Sequence, residues 1–171
     1  STIMRPFLIR MAMIFTFSGV TGIAHASTLD SQQNGVLKEA IKIGQKIGVG
    51  LKLAGVVFQE SSFGLQPNSP GHFGVGSVGY LAWITVITRH PWLRPYFQQQ
   101  NWANALVNDP GISLWVAGYY LQYCRHHAAD WKQALLMYRY GCPQDQGAYP
   151  NRVNHRIQQI HHLLKVGFQP N

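Results

Sequence analysis

The chain has 171 residues, of which 46% are hydrophobic and 12% charged, and its formal net charge is +8. That composition excludes a disordered polyelectrolyte and fits one packed domain. The excess of cations suits an anionic surface or polymer, but the basic residues are scattered, without an arginine-rich arm or a nucleic-acid-binding motif, so no nucleic-acid partner is expected.

Residues 1–26 read as a secretory signal peptide: Arg5 and Arg10 precede an apolar run over 11–23, and Ala24-His25-Ala26 places small residues at a cleavage site. The run is shorter than the roughly 20 residues a bilayer span needs. Export to the periplasm or the exterior is therefore expected, with residues 27–171 as the mature domain. Removing Arg5 and Arg10 takes the charge from +8 to +6, still basic.

From 35 to 47 the apolar positions Val36, Leu37, Ala40, Ile41, Ile43 and Ile47 recur at three- and four-residue steps and predict an amphipathic helix. Gly48-Val49-Gly50 interrupts it, and a second helix is expected over 51–61. Residues 62–76 are loop by composition, within a glycine-dense stretch from Gly44 to Gly79 that allows close backbone approach to a ligand. Residues 78–90 are apolar and β-branched; their length favours helix, ended by Pro91. A short helix follows over 101–107. Asp109 and Pro110 open another that reaches about 127, and Asp130 opens a helix over 131–140 that Gly141-Cys142-Pro143 stops. A last helix is expected over 151–166. The whole reads as one mainly α domain.

Two cysteines in an exported chain invite a disulfide. An antiparallel hairpin turning near 128–130 sets Cys124 opposite about residue 134, which leaves Cys142 on the order of 12 Å further along the helical rise. A steep crossing would close that gap; otherwise the thiols stay separate. The adjacent pairs His126-His127 and His161-His162 point in different directions on a helix, and no His-Glu-x-x-His occurs, so neither a metal site nor a cofactor is expected.

Glu60 is one of two glutamates in the chain and follows Leu53, Val56 and Val57 on one helical face. Burial against those groups and a place in the last helical turn both disfavour the ionised carboxyl. A raised pKa is what a group donating a proton near neutrality requires.

Glu60-Ser61-Ser62-Phe63, followed by a Gly, Ser and Pro loop, resembles the Glu-Ser-x-Phe signature of the lytic transglycosylases, lysozyme-like SLT domains that cut peptidoglycan. Gly76-Ser77-Val78-Gly79-Tyr80-Leu81 is similar to that family's Gly-x-x-Gly-Leu-Met-Gln segment, and residues 134–141 to its Ala-x-x-x-Tyr-Asn-x-Gly segment. Between them, residues 108–121 resemble its Asp-Pro helix with Gly118-Tyr119-Tyr120-Leu121. The resemblance spans about 48–153. It implies a lysozyme-like helical fold and Glu60 as a single acid and base that forms a 1,6-anhydro ring without water. It also implies Ser61 at a hydrogen bond near acid and sugar, Tyr138 orienting Glu60 or the muramyl N-acetyl group, and Tyr80 or Phe63 along the cleft. The chain departs from the family at Ala82, where Gln is usual, and at Arg139, where Asn is usual; Arg139 is open to two readings, a solvated helix-face cation or a partner for an acidic group of the wall.

A hydrolase of the usual kind needs two carboxylates. Asp109 and Asp130 are placed at helix starts, Asp30 lies near the mature N-terminus and Glu39 sits beside Lys38 and Lys42, which leaves Glu60 nearly alone and Asp145 as the second candidate. The expected substrate is the MurNAc-GlcNAc β-1,4 bond of peptidoglycan strands, cut by a monomer. By family and size, the setting is an envelope-spanning machine such as a conjugation or type IV secretion system, or a phage. A water-using muramidase and an inactive wall-binding or assembly protein are the alternatives.

Overall fold

The computed structural model describes residues 28–167, so the leader expected at 1–26 lies outside the described residues. Among the described residues there are seven α-helices and a 3-10 helix: α1 Ser31–Ile47, α2 Lys52–Ser61, α3 Tyr80–Arg89, the 3-10 helix Pro91–Phe97, α4 Trp102–Asn108, α5 Pro110–His126, α6 Trp131–Tyr140 and α7 Tyr149–Gly167. The mainly α, single-domain architecture is the one the sequence predicts. Among the described residues the extended pairing is one isolated antiparallel bridge between Phe73 and Val78, and no helix is long and apolar enough to cross a membrane.

Helix starts follow their caps. Asp109 and Asp130 accept hydrogen bonds from the backbone N–H groups of Ile112 and Gln133, as their sequence positions require. Asp30 does more than sit near an end: with Gln33 it closes a capping box, which starts α1 four residues before the apolar periodicity begins. Asn101 caps α4 through the Asn104 N–H. Gly48, at φ 80°, ends α1 in the left-handed conformation that glycine adopts without a Cβ penalty. The 3-10 turn after Pro91 was not legible in the apolar pattern. Its two prolines lack the N–H groups that a longer α-helix would use.

The core runs through Ile43, Leu53, Val56, Val57, Leu114, Val116, Leu121, Leu135 and Ile160, each at most 1% exposed. α2 lies at its centre, packed against α1, α5 and α7. The α2–α7 contact is close because Gly55 has no side chain: a Cβ there would stand 2.7 Å from Ile157 Cγ1 and 3.1 Å from Val153 Cγ1. Gly118 does the same for α5, where a Cβ would meet Ile47 and Leu53 at 2.9 and 3.1 Å. Interiors of native density leave no slack for such atoms.

α5 and α6 pack as a hairpin with Tyr120 and Tyr138 ring to ring, centroids 5.4 Å apart. In that antiparallel register Cys124 lies one turn to one side of the pair and Cys142 one turn to the other. The cysteines are unlinked, Cys124 buried and Cys142 exposed, and burial pushes the Cys124 thiol up to about 12.

Candidate functional site

Glu60 occupies the penultimate position of α2, and the face behind it is sealed: Leu53, Val56 and Val57 have no exposed surface. The chain then turns abruptly. Ser62 and Phe63 adopt left-handed backbone angles, φ 49° and 57°, and Gly64 follows at 90°. This closes the end of α2, with the Ser62 N–H donating to the Phe58 carbonyl. Gln33 clasps the turn from α1, its amide donating to the Ser62 carbonyl at 3.0 Å.

The loop that faces Glu60 is pinned by side chains from three helices. Ser61 Oγ donates to the Val75 carbonyl at 2.7 Å, the Val75 N–H donates to Ser113 Oγ at 3.0 Å, and the Tyr138 hydroxyl donates to the Gly76 carbonyl at 2.6 Å. Asn68 adds bonds to the Gly74 carbonyl and to Ser77 Oγ, at 2.9 and 2.7 Å. Between Phe73 and Val78, which exchange two backbone bonds, the loop makes a tight hairpin with left-handed residues at Gly74 and Ser77. Gly76 is required by proximity: any Cβ would press on Ala117 and stand 2.8 Å from the Tyr138 oxygen. Buried backbone groups must find partners, and here hydroxyls from α2, α5 and α6 supply them.

These contacts relocate two residues expected at the substrate. Ser61 is 1% exposed, and its oxygen also accepts from the Gly64 N–H at 2.9 Å; its hydrogen-bonding capacity is spent inside the fold. Phe63 is 1% exposed, with its ring 4.7 Å from that of Phe58. Burial makes both of them supports of the wall rather than parts of its surface. Tyr138 is buried too, and its hydroxyl goes to Gly76 rather than to the carboxyl.

The hydroxyl on Glu60 belongs instead to Tyr149, which donates to Oε1 at 2.8 Å. Tyr149 opens α7, two residues before the start that the sequence pattern suggests, and is 4% exposed. Pro150 beside it, a residue favoured in a first helical turn, was the available signal. The Glu60 pKa is raised by burial, which outweighs the opposing hydrogen bond from Tyr149, the charges of Arg139 and His72 and the smaller influence of the Ser77 hydroxyl. Since Ser77 Oγ already accepts from Asn68, its hydrogen is available for the carboxyl.

A cleft of about 310 Å³ has a wall that includes His72, Ser77, Tyr80, Tyr138, Arg139 and Tyr140, and Glu60 itself is not among the residues of that wall. Three of these, His72, Ser77 and Arg139, are the groups whose charge or hydroxyl acts on Glu60. Tyr80 is 53% exposed at the rim, with Trp83 and Trp102 behind it at 5.8 and 5.7 Å. Ala82, where the family resemblance calls for Gln, lies on the cleft wall without a polar side chain. Asp145, the second carboxylate candidate, is exposed on the loop after α6 and does not line the cleft. Among the described residues no three His, Cys, Asp or Glu side chains gather as metal ligands.

The site thus holds one carboxyl, its pKa raised by burial and its Oε1 held by a tyrosine, that feels the basic groups of a cleft with aromatic walls. Such an arrangement can deliver a proton to a substrate atom and take one back. Comparison with family models, with curated proteins and with solved structures finds no match to the chain.

Proposed function

We propose that the protein is an exported peptidoglycan lytic transglycosylase, lysozyme-like in fold, that cleaves the MurNAc-GlcNAc β-1,4 bond with Glu60 as sole acid and base. The observation that carries this reading is the isolation of Glu60: its carboxyl, with raised pKa, feels Tyr149, Arg139, His72 and Ser77 but, among the described residues, no second carboxylate, and the last three line a cleft. Hydrolysis by paired carboxylates calls for a second one about 5 to 9.5 Å away. A single group suffices when the nucleophile lies within the substrate. Glu60 first gives its proton to the glycosidic oxygen as the bond to C1 breaks. The resulting carboxylate then takes the proton of the muramyl 6-hydroxyl as that oxygen attacks C1, closing the 1,6-anhydro ring and restoring the acid. Tyr149 on Oε1 leaves Oε2 to carry the travelling proton.

The motifs around Glu60, Gly76 and Tyr138 support this reading, and the basic charge suits an acidic wall polymer. Action by a monomer in the periplasm or outside the cell, in the service of a secretion or conjugation machine or a phage, belongs to the same proposal. The test is digestion of purified sacculi by the protein and by Glu60→Gln, with mass spectrometry of the muropeptides. Anhydro ends that vanish in the variant are the expected result. Reducing ends would replace the proposal with a muramidase, and retained sacculus binding without any cleavage would replace it with a wall-binding protein.

A further inference from the structure

We infer that the cleft beside Glu60 has an anion-accepting edge, formed by Arg139 and His72, that takes a carboxylate carried by the glycan substrate. This rests on the proposed function and adds a substrate feature to it. The two residues line the same cleft, contributed by the end of α6 and by the loop before the Phe73–Val78 hairpin. The wall itself carries no Asp or Glu, and the carboxyl that feels both charges is that of Glu60.

Arg139 is exposed and acts on Glu60 through charge alone, without a hydrogen bond. Its planar fork of N–H donors therefore remains available, and that geometry matches a carboxylate in two parallel bonds. Burial raises the pKa of Glu60, the carboxyl whose charge Arg139 feels. The His72 ring is fixed from behind: Nδ1 lies 3.2 Å from the Pro70 carbonyl and 3.4 Å from Ser69 Oγ. Its Nε2 edge lies near Gly79, where a Cβ would stand 3.7 Å away in ordinary contact, and the ring is half-buried on the cleft wall. Gly79 and Tyr80, the next residues along, are themselves cleft wall. A neutral N-acetylglucosamine chain offers such an edge hydroxyl and carbonyl acceptors but no anion. A peptidoglycan strand offers carboxylates of two origins, the lactyl group of muramic acid once its peptide is removed and the acidic groups of the peptide stem.

The test is isothermal titration of the protein carrying Glu60→Gln with three ligands: strands bearing stems, strands stripped to free lactyl groups, and N-acetylglucosamine oligomers. The readout is the ratio of each strand's Kd to that of the neutral oligomer. Arg139→Gln is expected to reduce the preference for a carboxylate-bearing strand about tenfold, in keeping with loss of a charged hydrogen-bonding partner. Arg139→Lys should restore part of it, and His72→Gln should give a smaller loss in the same direction. The strand whose preference falls identifies the carboxylate's origin. An equal change on charged and neutral ligands, or no change on either, overturns the inference while leaving the proposed function standing. Failure to bind any of the three ligands overturns both.

Discussion

Two concavities on this molecule differ in size and in chemistry, and the larger is the less equipped for catalysis. The groove between α1 and α7 encloses about 650 Å³ and is lined by Leu29, Leu37, Ile41, Leu163 and Leu164, with Lys38 and Lys42 among them. The cleft beside Glu60 is less than half that volume, yet tyrosines, an arginine, a histidine and a serine converge on it. The groove follows from two amphipathic helices whose aliphatic stripes the described residues leave incompletely covered. The cleft follows from a loop tied down by hydroxyl groups from three helices and from a carboxyl held at the end of a buried helix. Volume records where packing is unfinished, whereas convergent polar groups with a perturbed proton affinity mark where chemistry is possible.

The sharpest way to break this contrast is to neutralise one group on each side. Glu60→Gln is expected to lower sacculus cleavage by about 10²- to 10⁴-fold, the range for loss of a general acid and base. Lys42→Gln in the groove should leave the rate within twofold, and an equal loss at both sites would show that the cleft is not the seat of the reaction.

Next in size are the ties of the loop. Gly76→Ala forces a methyl group against Ala117 and the Tyr138 oxygen, and overpacking of this kind costs about 1 to 3 kcal/mol. Tyr138→Phe leaves the Gly76 carbonyl without its partner and should cost about 1 to 3 kcal/mol in urea denaturation. Both should depress cleavage as well, because the same loop presents Ser77 to the carboxyl.

Tyr149→Phe should cost about 1 kcal/mol in stability and act more tellingly on the pH profile. Activity that needs protonated Glu60 declines as pH rises through its raised pKa. The Tyr149 hydrogen bond favours the ionised form, so its removal should move that alkaline limb to still higher pH. A limb that stays in place would mean the observed pKa belongs to another group.

The smallest effect is on stability itself. The folded chain holds the Glu60 proton more tightly than the unfolded chain, so stability falls as pH rises from the ordinary glutamate value of 4.5 through the raised one. Glu60→Gln has no such proton, and Gln can still accept from Tyr149. Its melting temperature should therefore rise above that of the parent across this window. The advantage should shrink as pH falls below 4.5, where the parent's carboxyl is protonated in both states.

Local rules were enough to read much of this from the sequence. Asp109 and Asp130 announce their helices, Gly48 and Gly141 end theirs, and the apolar positions before Glu60 identify the buried face. The raised proton affinity of Glu60 was legible for the same reason, since burial is its largest cause. Long-range partners were not. Tyr149 stands 89 residues from Glu60 and Ser113 stands 38 from Val75, and nothing in either local sequence specifies the other end. Ser61 and Phe63 were misplaced because a motif position says that a residue is near the acid but not on which side of the wall it lies. For Ser61 its bonds to the Val57 and Val75 carbonyls decide that, and for Phe63 the left-handed turn after α2.

The clasp on that turn links the acid to the beginning of the domain. Gln33 answers Asp30 in the capping box of α1, and the same side chain holds the Ser62 carbonyl two residues past Glu60. The first helical turn of the domain is thus part of the frame of its proposed catalytic group. Trimming or redesigning residues 30–33, at the start of the expected mature domain, would loosen the acid without touching the cleft. An engineered variant with a shortened N-terminus should therefore be judged by its cleavage rate as well as by its melting temperature.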